Sequence, residues 1–206
     1  MRRVYACSLE SQERKADSRA AARNDPTQGL SPTYEQAHVG LDLLTLVSLY
    51  IRKDSDMKLL SIAIPCYNSE KYMRKCIDSL LVGGEDVEIL IIDDGSTKDR
   101  TAEIADEYEA QFPTIVRAIH KENGGHGSAV NTGIANAKGL YFKVVDSDDW
   151  VKQDAYFKIL DTLRELAGGG QALDMLISNY VYEKEGERRK KVIQYRHILP
   201  VEKMFT

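Results

Sequence analysis

The stretch Val87-Glu88-Ile89-Leu90-Ile91-Ile92-Asp93-Asp94-Gly95-Ser96 decides the fold. A short apolar run without polar alternation reads as a strand covered on both faces, and Asp93-Asp94-Gly95-Ser96 closes it as a tight turn. The same form recurs on either side. Upstream, Leu59-Leu60-Ser61-Ile62-Ala63-Ile64 is a strand that stops at Pro65, which cannot donate to a central ladder. Asn68 or Ser69 then caps a helix to about residue 81, with Met73, Ile77 and Leu80 on one face. Downstream, Asp99 or Thr101 opens a helix to about residue 111, and 115–119 is a third strand. A glycine-rich loop, 123–127, precedes a helix over 128–137. The buried strand Leu140-Tyr141-Phe142-Lys143-Val144-Val145 and a helix over 153–167 follow. This alternation predicts an α/β fold, a mostly parallel sheet with helices on both faces.

The pattern weakens at both ends. Residues 1–40 are rich in Arg, Ala, Ser and Gln and read as disordered, and 41–53 is long enough for one short helix. Residues 1–56 are therefore expected to be an N-terminal appendage, or Met57 the natural start, with 57–206 the folded domain. Past the last helix, 173–178 reads as a strand, and 180–184 with 192–195 as a hairpin around Glu185-Gly186-Glu187. The mixed-charge run 183–191 reads as an exposed turn, and 201–206 as the start of another helix.

Composition narrows the function classes. A net charge of −4, with both signs interspersed, argues against a nucleic-acid partner, whose binding domains are usually basic. The most apolar stretch, 41–51, contains Asp42 and is too short to cross a bilayer. Cys7, Cys66 and Cys76 lack metal-type spacing; Cys66 and Cys76 read as buried reduced thiols, which fits a reducing cytoplasm.

Ligands of doubly wound sheets bind outside the carboxyl ends of the strands. Residues 65–70, 93–96 and 146–150 fall at such ends, and 123–131 follows the third strand, so one crevice can gather all four. Asp146-Ser147-Asp148-Asp149 puts three carboxylates after a buried strand, where mutual repulsion and desolvation call for a cation; an acidic turn capping the next helix is the alternative. Asp93 and Asp94 are placed to accept from a ring N–H or a ribose hydroxyl, or simply to build a turn. Asn123-Gly124-Gly125-His126-Gly127 offers amides at a helix start but matches neither the G-x-x-x-x-G-K-[ST] nor the G-x-G-x-x-G pattern. His126 either touches a ligand or is a solvated loop residue, and Trp150 either walls the site or closes the core. Cys66 has no base partner for a nucleophilic role.

Taken together, Ile62-Ala63-Ile64-Pro65-Cys66-Tyr67-Asn68-Ser69-Glu70, Ile91-Ile92-Asp93-Asp94-Gly95-Ser96-Thr97, Asn131-Thr132-Gly133-Ile134 and Asp146-Ser147-Asp148-Asp149-Trp150 resemble the motifs of family 2 glycosyltransferases of GT-A fold. The resemblance covers about 57–206. It implies a nucleotide-diphospho-sugar donor, usually a UDP-sugar, and transfer to an acceptor hydroxyl with inversion. By likeness, Pro65, Tyr67, Asn68 and Glu70 line the nucleotide pocket, and Asp94 with Asp93 holds the base or ribose. Gly124, Gly125 and Asn131 belong to the glycine-rich donor region, and Asp146, Ser147 and Asp148 form the DxD motif. Asp148 with Asp149 would hold the Mn²⁺ or Mg²⁺ that bridges the diphosphate. The family implies a glycan or lipid-linked acceptor, a role in cell-surface polysaccharide or glycolipid synthesis, and contact with the cytoplasmic membrane face.

Two departures are visible. Val130 stands where many relatives carry Arg, leaving His126 or Lys121 as substitute cations. The family's catalytic base lies well downstream of the DxD, and Asp174 comes too early for it, so the base is expected beyond Thr206. A non-catalytic nucleotide-sugar-binding fragment is the rival reading. A nucleotidyltransferase is a third, disfavoured because the glycine-rich, lysine-bearing start of that class is absent from 59–70.

Overall fold

The structure, a computed structural model, describes residues 4–7, 57–168, 174–182, 191–195, 198–199 and 204–205. In chain order the elements are β1 (Val4–Cys7), β2 (Leu60–Cys66), α1 (Glu70–Leu81), β3 (Val87–Asp93), α2 (Thr101–Gln111), β4 (Val116–His120), α3 (His126–Asn136) and β5 (Tyr141–Val144). They continue with α4 (Gln153–Gly168), β6 (Met175–Ser178), β7 (Tyr180–Tyr182), β8 (Lys191–Ile193) and β9 (Met204–Phe205). The main sheet is parallel, in the order β4-β3-β2-β5. The chain steps outward from β2 to β3 and β4, then crosses back to lay β5 on the other side of β2. That reversal of strand order puts the crevice outside the carboxyl ends of β2 and β5.

Side-chain alternation along β3 explains the two layers. Val87, Ile89 and Ile91 point into the larger core with Met73, Cys76, Ile77 and Leu80 of α1, Ile104 and Tyr108 of α2, and Tyr156, Leu160 and Leu163 of α4. Leu90 and Ile92 point the other way, onto Ala129 of α3. Helices therefore cover both faces, three against one. Glu88 breaks the apolar run yet is buried, because Ser61 Oγ and the amides of Lys138 and Gly139 donate to its carboxylate while Arg117 lies 3.8 Å away.

Several sequence expectations need correction. Pro65 does not end its strand: β2 runs through Cys66, which pairs with Asp93. Pairing of β2 with β5 stops at Ala63 and Val144, so the donor Pro65 lacks faces a side where the ladder has already ended. The strand before the acids is not fully buried, since β5 is the sheet's edge and exposes Phe142 and Lys143. Helix α3 begins two residues early, at His126. Residues 204–205 form a strand, not a helix, pairing antiparallel with β1, because a partner strand overrides a weak local helical pattern. Strand β6 does not join the main sheet but pairs parallel with β1, so Val4–Cys7, within the expected appendage, is strand. The hairpin holds, with Tyr180 opposite Ile193. The helix expected over 41–53 and the charge run up to residue 190 lie outside the described residues.

The close approach of α3 to the sheet depends on Gly133. A Cβ there would sit 2.5 Å from Ala63 Cβ on β2. Gly133→Ala is expected to push α3 off the sheet and destabilise the protein by about 1–3 kcal/mol, as overpacking of a tight contact does. Chemical denaturation of the two proteins checks it, and equal midpoints would show that the helix can slide at no cost.

Candidate functional site

Four loops leave the carboxyl ends of the parallel strands, and hydrogen bonds tie them into a closed ring. Asn68 N donates to Ser96 Oγ at 2.9 Å, joining the loop after β2 to the loop after β3. The amides of Gly124 and Gly125 donate to Asp94, at 3.0 and 2.7 Å, joining the β3 loop to the glycine-rich segment. His126 Nε2 lies 2.9 Å from Asp146 Oδ1, which carries the ring to the acids after β5. Ser147 Oγ donates to Ser69 Oγ at 2.9 Å and closes it. The four sequence segments thus meet in one place.

The backbone makes these contacts possible at two residues. Gly95 has φ +73°, and a Cβ there would fall 2.8 Å from Asn123 N, so the turn needs glycine. Asn68 adopts φ +51°, and its Oδ1 accepts from Thr97 N and Lys98 N at 3.3 and 3.1 Å. Asn68 therefore does not cap α1. The starts of α1 and α2 cap each other instead. Asp99 accepts from the amides of Glu70 and Thr101, while Glu70 Oε2 accepts from Arg100 N at 3.0 Å. Thr101 Oγ1 accepts from Ser69 N at 2.7 Å.

Asp94 is 3% exposed. Lys121 Nζ and Gly124 N reach its Oδ1, and Gly125 N its Oδ2. Burial alone would raise its pKa, but the hydrogen bonds from Lys121, Gly124 and Gly125 outweigh it and hold the carboxyl below its ordinary value. Asp93, equally buried, accepts from Ser96 N at 3.0 Å and faces His120 Nδ1 at 3.1 Å. The other ring nitrogen of His120 lies 3.0 Å from Asp106 on α2. Neither His120 nor the role of Lys121 was visible in the sequence. The parallel register was the available signal, because Asp93 pairs with His120 and the consecutive acids meet consecutive basic residues.

The remaining acids are differently placed. Asp146, Asp148 and Asp149 are exposed, and Asp149 N donates to Asp146 O at 2.9 Å in a tight turn. Burial first, then the charges of Asp148 and Asp146, push the Asp149 carboxyl up. Tyr67 is half exposed at the crevice, and Pro65 is buried beneath it. Asn131 is exposed on α3, outside the ring of contacts. Trp150 closes no core: it is 41% exposed, with Lys75 Nζ 3.0 Å from its ring centroid. Burial pushes the Cys66 thiol up and that of Cys76 to about 12, in keeping with inert buried cysteines.

A parallel sheet whose strand-end loops are tied into one acidic and glycine-rich ring defines an α/β protein with a candidate site at its strand ends. Sequence comparison is more specific. The profile of Glycosyl transferase family 2 matches residues 61–197, and the chain belongs to that family. It is 38% identical over 135 residues to the uncharacterized glycosyltransferase EpsJ of Bacillus subtilis, covering 65% of this chain and 37% of that one. It is 39% identical over 132 residues to glycosyltransferase GlyG of Streptococcus pneumoniae, covering 63% and 42%. With chondroitin synthase of Escherichia coli it shares 44% identity over 108 residues, covering 52% and 16%. Among solved structures, S. aureus TarS 1–349 in complex with UDP-GlcNAc is similar at 27% identity and a TM-score of 0.46, covering 53% of this chain and 32% of that one. The chain spans less than half the length of each of these proteins.

Asp94→Asn would remove the charge facing Lys121 and weaken the hold on both glycine amides. It is expected to cost about 3 kcal/mol, as breaking a buried ion pair does. The sign with pH follows from the depressed pKa. The contribution of Asp94 is complete above the unfolded carboxyl value of about 3.9 and is lost as pH falls through the lower folded value. Denaturation curves should therefore show the gap between wild type and Asp94→Asn constant near neutrality and closing in acid. A gap that stayed open in acid would place the loss elsewhere.

Proposed function

We propose that the described domain binds the donor of a glycosyltransferase: a nucleotide-diphospho-sugar, with UDP as nucleotide, whose sugar passes with inversion to an acceptor hydroxyl. The ring of four strand-end loops carries this reading, because it sets recessed acceptors at one end of a crevice and exposed acids at the other. Family membership supports the same chemistry.

The roles divide along the ring. A carboxylate has about four acceptor positions, and Asp94 spends three on Lys121, Gly124 and Gly125, leaving Oδ2 able to accept a ring N–H of the base. Tyr67 offers an exposed ring on which a base can stack. Lys121 is bound to buried Asp94, while His126 is 63% exposed and faces the exposed Asp146, at the open side of the ring. His126 is therefore assigned to the diphosphate. Asn68 and Glu70 line the pocket, and their side-chain oxygens accept the backbone amides that shape it.

The acids after β5 fit a divalent ion. The Asp149 carboxyl is raised first by burial and then by the charges of Asp148 and Asp146, which Lys143 offsets only in part, so a bound cation would relieve it. Among the described residues no group of three or more His, Cys, Asp or Glu converges to hold an ion alone. That suits Mg²⁺ or Mn²⁺, which takes one or two carboxylates and completes its shell with phosphate oxygens and water. Asp148 and Asp149 would hold it, and it would neutralise charge on the departing diphosphate. Asp146 contributes to the donor side through its contact with His126. We assign no acceptor base among the described residues.

The acceptor is taken to be a glycan or a lipid-linked glycan, in cell-surface polysaccharide or glycolipid synthesis in the cytoplasm or at its membrane face. Similarity to a chondroitin synthase supports a glycan product. No helix among the described residues is long and apolar enough to cross a membrane.

Titration calorimetry of the full chain with UDP, in Mn²⁺ and in chelator, tests the site. Binding is expected to tighten at least about tenfold with Mn²⁺, the size of one charge-assisted contact, and Asp148→Asn should abolish that gain. Metal-independent binding would remove the ion from the proposal. Binding of GDP in preference to UDP would change the nucleotide.

A further inference from the structure

His120 ends β4 between two carboxylates, and nothing in donor binding requires it. Its Nδ1 lies 3.1 Å from Asp93 Oδ2, and its Nε2 lies 3.0 Å from Asp106 Oδ1. Ionised carboxylates only accept hydrogen bonds, so both contacts can be donated at once only when both ring nitrogens carry a proton. A neutral ring must turn one lone pair toward an oxygen anion. The geometry therefore selects the imidazolium.

What the ring touches gives this proton a role. Asp93 is buried, and its other oxygen accepts Ser96 N, which fixes the turn after β3. Ser96 Oγ in turn accepts Asn68 N, and Lys121 N donates to Asp93 O at 3.0 Å. Asp106 brings in α2. We propose that His120 is a positioning residue: as an imidazolium clamped between Asp93 and Asp106, it fixes the β3 turn on which the crevice is built. The consequence for donor affinity rests on the nucleotide-sugar reading above.

The charged groups facing the ring are Asp93 from β3 and Asp106 from α2. Lys121, next on its own strand, is turned to Asp94. Hydrogen bonding to Asp106 raises the pKa most, burial opposes it, and Asp93 raises it further. A raised folded pKa stabilises fully below the unfolded value of about 6.5 and is lost as pH rises through the higher folded value. The clamp should therefore hold in mild acid and loosen above neutrality.

Three readouts on the full chain test it from about pH 5.5 to about pH 9, the span over which a histidine titrates: imidazole NMR, thermal unfolding and UDP calorimetry. His120 is identified as the resonance missing from His120→Gln. Its midpoint is expected above the ordinary histidine value, and lower in Asp106→Asn, whose exposed site leaves the fold intact. Wild-type Tm and UDP affinity should fall together through that midpoint, affinity by about three- to fivefold, as for the loss of a partly exposed ion pair. His120→Gln should lack this arm. An ordinary or depressed midpoint, or the same pH dependence in His120→Gln, overturns the clamp. UDP binding absent at every pH would instead overturn the donor reading, with the midpoint and Tm still deciding the clamp.

Discussion

The crevice depends on the buried carboxylate of Asp94. A charge this deep is costly unless paired and hydrogen-bonded, and Lys121 with two glycine amides supplies both. The same contacts dictate where the glycine-rich segment lies. Gly125, at φ +83°, turns the chain into α3, and its neighbour His126 then stands opposite Asp146. Had the second residue after Ile92 been apolar, this segment would keep only its backbone-directed contacts, such as that of Asn123 Nδ2 with the oxygen of residue 94. One carboxylate thus ties the end of β4 and the start of α3 to the turn after β3.

The acids near the strand ends fall into two groups that look alike in sequence. Asp93, Asp94 and Asp99 accept backbone amides, and Glu70 does the same from an exposed position. They satisfy donors that the turns and helix starts would otherwise leave unpaired. Asp148 and Asp149 serve no such purpose and crowd each other at the exposed end. The first group is held by fixed donors, whereas the Asp149 carboxyl is pushed up by burial and by the charges of Asp148 and Asp146, with Lys143 opposing them. This difference in partners, more than the count of acids, separates the two groups.

Much of the fold was legible because the strands carry mainly apolar runs and the helices an apolar stripe. The positions of α1, β3, α2 and α4 followed from periodicity within a residue or two. What escaped was set by tertiary context. Pro65 looked like a strand end because the missing β5 ladder at that point cannot be read locally. The burial of β5 was overestimated because an edge strand and a central one share the same composition. The pairing of Val4–Cys7 with β6 joins segments far apart in sequence, which no local pattern announces.

The same limit applied within the site. The resemblance names Asn68, Glu70, Asp93 and Asp94 for the nucleotide pocket, and the structure adds that much of their hydrogen bonding goes to backbone amides. His120 carried no motif and drew no notice, although strand register placed it opposite Asp93. A motif records which residues a site needs and is silent on how each is held. Here much of the holding is done by neighbours of the motif residues, His120 and Lys121 beside Asp93 and Asp94, and Thr101 beside Ser69. The shape of the crevice is therefore fixed in part from positions outside the motifs, through charges and hydroxyls that meet the motif residues across strand ends.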